Sequence, residues 1–113
     1  MSRTPTDYSK TVIYQIQHNH YPELVYVGHT TNLKNRQYFH KRLSLTSNAL
    51  LYQMIRANGG FEMFLMSQVK EYACQSKAEA CQEEERMMLE LNATMNNVRA
   101  STFSNLLSIV FTV

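Results

Sequence analysis

Tyr26-Val27-Gly28-His29-Thr30-Thr31-Asn32-Leu33-Lys34-Asn35-Arg36-Gln37-Tyr38-Phe39-His40 is the stretch on which the reading of this chain turns. An extended apolar run ends at Gly28, a short polar loop follows, and Asn32 then opens a segment with helical spacing. Asparagine is a strong N-cap because its side-chain oxygen accepts from a free backbone N–H of the first turn. A helix is expected from there to about Leu43. Leu33, Arg36, His40 and Leu43 fall at i, i+3, i+7 and i+10, so they form one stripe on which Arg36 and His40 are neighbours. A cation and an imidazole on a face that packs inward need a use there.

Upstream, Val12, Tyr14 and Ile16 alternate with Ile13, Gln15 and Gln17, which is strand period. His18 to Pro22 reads as a turn, and Leu24 to Gly28 as a second strand, so the two form a hairpin. A five-residue loop would place position 14 directly opposite position 26, with both tyrosines on one face. Opposed residues have Cβ atoms about 5 Å apart, so two phenol hydroxyls would share one small region. Met1 to Lys10 is polar and aperiodic and reads as a flexible leader.

Downstream, Thr46 or Ser47 can cap a second helix whose buried face is Leu50, Leu51, Met54 and Ile55, ended by Asn58-Gly59-Gly60. Phe61 to Tyr72 reads as a strand, with Phe64 and Met66 on one side and Met63, Leu65 and Val69 on the other. Ser76-Lys77-Ala78-Glu79 has the form of a capping box. In the helix it opens, Ala80, Cys81, Met87, Met88 and Leu91 make the apolar stripe, and Glu84 completes it in the middle. Glu79, Glu83 and Glu90 fall away from that stripe and read as a solvated face. Burying a carboxylate is costly unless it is paired or binds a metal. Glu84 is therefore expected to need a partner, and its neighbours are not. After the stretch Leu91 to Asn97 the helix should be over, since asparagine and threonine cluster there.

At 113 residues the chain has room for one core, and 44% apolar with 18% charged residues is an ordinary globular composition. That excludes a disordered tail. A net charge of +2 permits a polyanionic partner without demanding one. With only 11 lysines and arginines, non-specific affinity for such a partner should be modest and steeply weakened by salt. Cys74 and Cys81 fit neither a zinc spacing nor a disulfide framework and read as free, partly buried thiols in a reducing compartment. No run reaches the roughly 18 apolar residues of a membrane span, and no signal-peptide core is visible. The expectation is an intracellular protein without a membrane partner.

The ordered set of residues resembles the GIY-YIG nuclease family over roughly residues 11–100. Val12-Ile13-Tyr14 stands where that family has its first tripeptide, and Tyr26-Val27-Gly28 where it has its second. Arg36 and His40 follow at the family's distances, and the segment from Leu51 to Val69, with Gly59-Gly60 and Phe64, looks like its middle helix and third strand. Glu79-Ala80 with Glu84 matches the pattern around the family's metal-binding glutamate, and Asn96 lies twelve beyond Glu84. Each tripeptide alone carries no weight; the set in this order and spacing does. Val12 replaces the first glycine, and His29 sits where some members carry a lysine, so a lysine-assisted step is not available there.

The resemblance implies an α+β domain, a small three-stranded antiparallel sheet flanked by helices. It also implies a metal-dependent endonuclease that hydrolyses DNA and leaves a 5′-phosphate and a 3′-hydroxyl. The site residues it implies are Tyr14, Tyr26, Arg36, His40, Glu84 and Asn96. Glu84 would hold one divalent ion, Mg²⁺ or alternatively Mn²⁺, and magnesium suits a lone carboxylate because it keeps several waters. Arg36 has the fork that matches a phosphate, and Tyr26 is the candidate general base, with His40 as helper or as the base itself. Tyr14 would hold phosphate or water, and Asn96 would set backbone geometry.

Taken singly, the tyrosines would be strand core, Arg36 a snorkelling surface residue and Glu84 part of a solvated face. His18-Asn19-His20 lacks a third ligand nearby and reads as loop polarity. A non-catalytic nucleic-acid or protein-binding module on the same fold is the rival reading, and a nuclease subunit needing a partner is the second. Residues 101–113 form an uncharged apolar tail, with Leu106, Leu107, Ile109, Val110, Phe111 and Val113. A last strand, an aggregation-prone end, and a segment docking a homodimer or other protein partner all remain open for it.

Overall fold

The computed structural model describes residues 6–96. The 101–113 tail, and with it any dimer or partner contact it makes, lies outside the described residues, as does Asn97. Strands β1 (Val12–His18), β2 (Val25–Thr30) and β3 (Phe64–Glu71) form one antiparallel sheet in the order β2-β1-β3. Helices α1 (Leu33–Thr46) and α2 (Leu50–Ala57) lie between β2 and β3 in the chain, and α3 (Lys77–Glu90) follows β3. This is the expected α+β architecture.

The alternation in β1 divides the core in two. Tyr14 and Ile16 pack with Leu24, Tyr52, Met54, Ile55, Phe64 and Met95, whereas Ile13 packs with Val25, Val27 and Met87. The α2 helix thus fills one face of the sheet and α3 the other. Each fully buried aliphatic side chain contributes about 1.5–3 kcal/mol, so Ile16 on one face and Ile13 on the other both favour this two-sided burial. Arg56 of α2 donates to the carbonyls of Ser44 (2.9 Å) and Ser47 (2.7 Å), which satisfies the end of α1 and ties the two helices together.

Several expectations are corrected. Tyr14 pairs with Gly28, and Tyr26 with Ile16, so the tyrosines share a face as the parity requires but stand diagonally. The cause is the turn, which starts one residue later: His18 N–H donates to the Leu24 carbonyl at 3.0 Å, so residues 19–23 close the hairpin instead of His18 to Pro22. Gly28 does not end the strand, which continues to Thr30. His18 is a buried strand residue. Its Nδ1 accepts from the N–H groups of His20 (3.0 Å) and Tyr21 (3.1 Å), so Nε2 carries the proton and donates to the Asn58 carbonyl at 3.0 Å. Both ring nitrogens are occupied in organising the turn.

Residues 8–10, expected within a loose leader, form a 3-10 turn, Tyr8–Lys10, capped by Asp7, and the Tyr8 carbonyl accepts from Cys74 N–H at 3.0 Å. Asn32 caps α1 as expected, accepting from Asn35 N–H at 3.0 Å. The helix runs on to Thr46, with Ser44 in the buried row and Leu43 39% exposed. Neither Thr46 nor Ser47 caps α2, whose first residue follows Ala49. Tyr52 joins Met54 and Ile55 on its buried face, with Leu50 and Leu51 half-buried. Phe61–Met63 is a 3-10 turn ahead of β3, entered through Gly59 and Gly60 at φ +100° and +91°.

Ser76 caps α3 through Glu79 N–H, as the capping-box pattern predicts. The helix is rotated by about one position from the sequence reading. Glu83, expected on the solvated face, is buried between Ala80 and Met87, while Glu84 is partly open to the cleft. Glu83 is stabilised there by Lys70 on β3 (2.5 Å) and by Arg86 (2.6 Å). The Arg86 hydrogen bonds, then that of Lys70, hold its carboxyl down to about 2.

The end of α3 sets up the site. Asn92 adopts the left-handed conformation (φ 53°), Asn92 N–H reaches the Leu89 carbonyl at 3.3 Å, and Ala93 N–H reaches that of Met88 at 2.9 Å. This is a Schellman ending with asparagine in the position usually held by glycine. It turns residues 94–96 back along the free edge of β2, where Met95 N–H donates to the Val25 carbonyl at 2.9 Å and the Thr94 hydroxyl to that of Glu23.

Candidate active site

Asn96 completes this strap. Its side-chain oxygen accepts from Val27 N–H at 2.7 Å and its amide donates to the Val27 carbonyl at 2.5 Å. One side chain thereby supplies both bonds of a strand ladder to the residue between Tyr26 and Gly28. Both bonds of the Asn96 side chain go to backbone.

On the α1 side of the sheet, Tyr14 extends across β2 over Gly28. A Cβ at position 28 would stand 2.5 Å from both Cζ and the hydroxyl oxygen of Tyr14, so only glycine leaves the ring its path. The hydroxyl meets His40 Nε2 at 2.7 Å and accepts from Arg36 Nε at 3.4 Å; His40 Nδ1 in turn meets the Tyr52 hydroxyl at 2.8 Å. The buried Tyr14 proton needs an acceptor, and His40 Nε2 is the one in reach. The proton on His40 is then on Nδ1, pointing at Tyr52. The row runs from the Arg36 cation through Tyr14 and His40 to Tyr52.

The structure therefore partners His40 with Tyr14 and Tyr52, not by a hydrogen bond with Tyr26. Tyr26 is beside them, its ring centre 6.3 Å from that of Tyr14 and 5.8 Å from that of His40. Tyr52 was missed in the sequence. Its place on the buried face of α2 is an ordinary core position, and nothing in the spacing announces a hydroxyl aimed at His40.

Burial and the adjacent Arg36 charge push the His40 imidazole down to about 4, so it is neutral at pH 7. Burial raises the Tyr14 phenol well above its ordinary value, Tyr26 adding to this and Arg36 opposing it. Tyr26 is also raised, first by burial and then by the charge of Glu84, against the pull of Arg36. Arg36 is raised as well: burial, the largest single effect, would lower it, but the hydrogen bond to Tyr14 together with the nearby Tyr14, Tyr26 and Tyr52 hydroxyls outweighs that.

Glu84 comes to the same place from the other side of β2. Its Oε1 lies 2.9 Å from Nδ1 of His29, with the two side chains only 24% and 18% exposed. His29 is the partner that the carboxylate was expected to require, and the sequence singled it out only as a departure. Its signal was strand parity: His29 alternates with Val25 and Val27, so it faces α3 as they do.

Tyr14, Tyr26, His29, Arg36 and Glu84 line one cleft of about 350 Å³ together with Thr30 and Lys77. A larger hollow of about 600 Å³ adjoins it through Tyr26 and Glu84 and runs past Met88, Asn92 and Asn96. Arg36 and the two tyrosines converge in the smaller cleft. His40 lies behind Tyr14. Among the described residues, no three His, Cys, Asp or Glu side chains form a cage for a metal ion. One carboxylate beside an imidazole, in a cleft that leaves room for water and phosphate, fits a divalent ion that keeps most of its shell as water and substrate oxygens.

A sheet of three strands carrying a tyrosine on each of two neighbours, an arginine and histidine on the next helix and a glutamate on the last defines a nuclease domain. Residues 10–97 match the GIY-YIG catalytic domain family, and the chain belongs to it. A solved structure, the catalytic domain of the homing endonuclease I-TevI, superposes with a TM-score of 0.66 at 23% identity, covering 80% of this chain and 100% of that one. At that identity the likeness establishes the fold. No curated protein matches the chain in sequence. No helix among the described residues is long and apolar enough to cross a membrane.

Proposed function

We propose that this domain is a metal-dependent endonuclease acting on DNA, with a single divalent ion held at Glu84 and cleavage leaving a 5′-phosphate and a 3′-hydroxyl. The observation that carries it is the convergence of Arg36, Tyr14, Tyr26 and Glu84 on one cleft, with His40 bonded behind Tyr14. Mg²⁺ or Mn²⁺ at Glu84, when bound, neutralises charge on the phosphoryl and leaving oxygens.

The chain's own residues supply the rest. The Arg36 guanidinium pairs with the phosphate, where charge grows in the transition state. Tyr26 and Tyr14 present hydroxyls to the attacking water. As Tyr14 takes a proton from that water it passes its own to His40 Nε2, across the 2.7 Å contact, and the Tyr52 oxygen accepts from the resulting imidazolium at Nδ1. Tyr14 is the tyrosine bonded to His40, which supports this transfer through Tyr14; the family resemblance implied Tyr26 as base, with His40 as helper or as the base itself.

His40 is a poor base while Arg36 is unpaired, because burial and that cation both disfavour its protonation. A phosphate on Arg36 removes the second of these effects, so basicity rises when substrate is bound. Asn96 holds the Tyr26-Val27-Gly28 backbone in place throughout.

Nicking of supercoiled plasmid with Mg²⁺ tests the proposal, comparing the wild type with Glu84→Gln and Arg36→Ala at matched folding. Cleavage abolished by both changes is the expected result. A wild type that binds DNA but does not cleave it with Mg²⁺ or Mn²⁺ would overturn the catalytic reading in favour of a binding module.

A further inference from the structure

We infer that His29 is a second protein ligand for the ion at Glu84, making a mixed nitrogen and oxygen site that favours divalent transition ions over Mg²⁺. The inference rests on the reading of Glu84 as the metal carboxylate and adds to it a residue and a preference.

His29 Nδ1 and Glu84 Oε1 are 2.9 Å apart and line the cleft that also holds Arg36 and Tyr26. Without an ion, a proton between the two atoms accounts for that distance. Ligands at right angles around an octahedral ion, each about 2.1 Å from it, stand about 3.0 Å apart. The two donor atoms are therefore already at the separation of adjacent ligands, and an ion can replace the proton without either backbone moving.

The donors are also rigidly mounted. His29 is on β2, whose backbone is held two residues earlier by the Asn96 clamp, and Glu84 is in the middle of α3, one residue after the buried Glu83 with its two cations. A flexible surface pair would spend ordering entropy on binding, and this pair spends little. With two positions filled by protein, the remaining ones are open to water and phosphate oxygens.

Imidazole nitrogen is a common ligand for first-row transition ions, whereas Mg²⁺ takes oxygen. Glu84 alone would discriminate little between Mg²⁺ and Mn²⁺. With His29 Nδ1 as partner, the site gains affinity for the transition ion specifically.

The test is Mn²⁺ binding to the full chain followed by electron paramagnetic resonance, with pulsed measurement of imidazole ¹⁴N coupling and competition by Mg²⁺. The variants are His29→Ala, His29→Gln and Glu84→Gln, each checked for folding by circular dichroism. His29→Gln keeps a group that can hydrogen-bond the carboxylate but removes the imidazole nitrogen. It therefore separates coordination from mere positioning of Glu84.

The expected result is imidazole ¹⁴N coupling in the wild type that both His29 variants lose. Mn²⁺ affinity should fall about tenfold or more, given that outer-shell contacts alone are worth about 10–100-fold, while Mg²⁺ affinity changes much less. Mn²⁺ binding that needs Glu84 but shows no imidazole coupling and is unchanged in His29→Gln would overturn this inference and leave the single-carboxylate site standing. Binding that survives Glu84→Gln, or no binding by the wild type, would overturn both.

Discussion

Replacing Gly28 by alanine tests the internal logic of the site more directly than removing a reactive group. Gly28 is in mid-strand and has no positive φ, so alanine suits its backbone; the obstacle is space. The new Cβ would be 2.5 Å from the Tyr14 ring and hydroxyl, where carbon atoms prefer about 3.5–4.0 Å. Either the Tyr14 ring or β2 must move by about 1 Å or more. The ring is not free to swing, since Tyr14 is buried and its hydroxyl is shared by His40 and Arg36. A shift of about 1 Å opens the 2.7 Å contact with His40 beyond hydrogen-bonding distance. Overpacking of this kind costs about 1–3 kcal/mol of stability, and losing an aligned proton transfer costs about 100-fold or more in rate.

Urea denaturation would measure the first effect and plasmid nicking the second, with Tyr14→Phe as the comparison. Tyr14→Phe keeps the ring and removes the hydroxyl, so it should lose activity with a smaller loss of stability. Gly28→Ala should lose both. A Gly28→Ala protein with wild-type stability and wild-type nicking would refute the reasoning that Tyr14 needs a glycine beneath it.

The buried neutral His40 predicts a pH dependence of folding. Its folded pKa, about 4, is below the ordinary value of 6.5, so between these the unfolded chain binds the extra proton and stability falls as pH drops from 6.5 toward 4. The loss should reach about 2–3 kcal/mol by urea denaturation across that window, and His40→Gln should flatten it; an unchanged slope would count against a neutral buried imidazole. Asn96→Ala removes two bonds to the Val27 peptide and should cost about 1–3 kcal/mol. Amide hydrogen exchange at Val27 should accelerate and nicking should weaken, and an equally protected Val27 amide would mean that the strap holds β2 through Thr94 and Met95 without Asn96.

The elements themselves were legible because local chemistry specifies them. Asn32 and Ser76 cap α1 and α3 with no help from the rest of the chain, and the alternation from Val12 to Gln17 has the period of a strand. The spacing from Tyr26 to Arg36 and His40 was legible for the same reason, since a short loop and two helical turns leave the stripe little freedom. Strand parity likewise put Tyr14 and Tyr26 on one face.

What remained was decided between elements. Parity repeats every two residues, so it could not say whether Tyr14 stands opposite Tyr26 or Gly28; the turn starting one residue later and the room above Gly28 settled that. Positions 83 and 84 flank the same stripe about 100° apart on a helix, so only the packing of α3 against the sheet could assign the buried place. It went to Glu83 because Lys70 on β3 was there to meet it, which left Glu84 open to the cleft and to His29. The same holds for His40, whose partners Tyr14 and Tyr52 come from a strand and a second helix. Capping and periodicity are properties of a chain segment, but hydrogen-bond partners, pKa and access to a ligand belong to the gap between segments, and tertiary packing alone creates that gap.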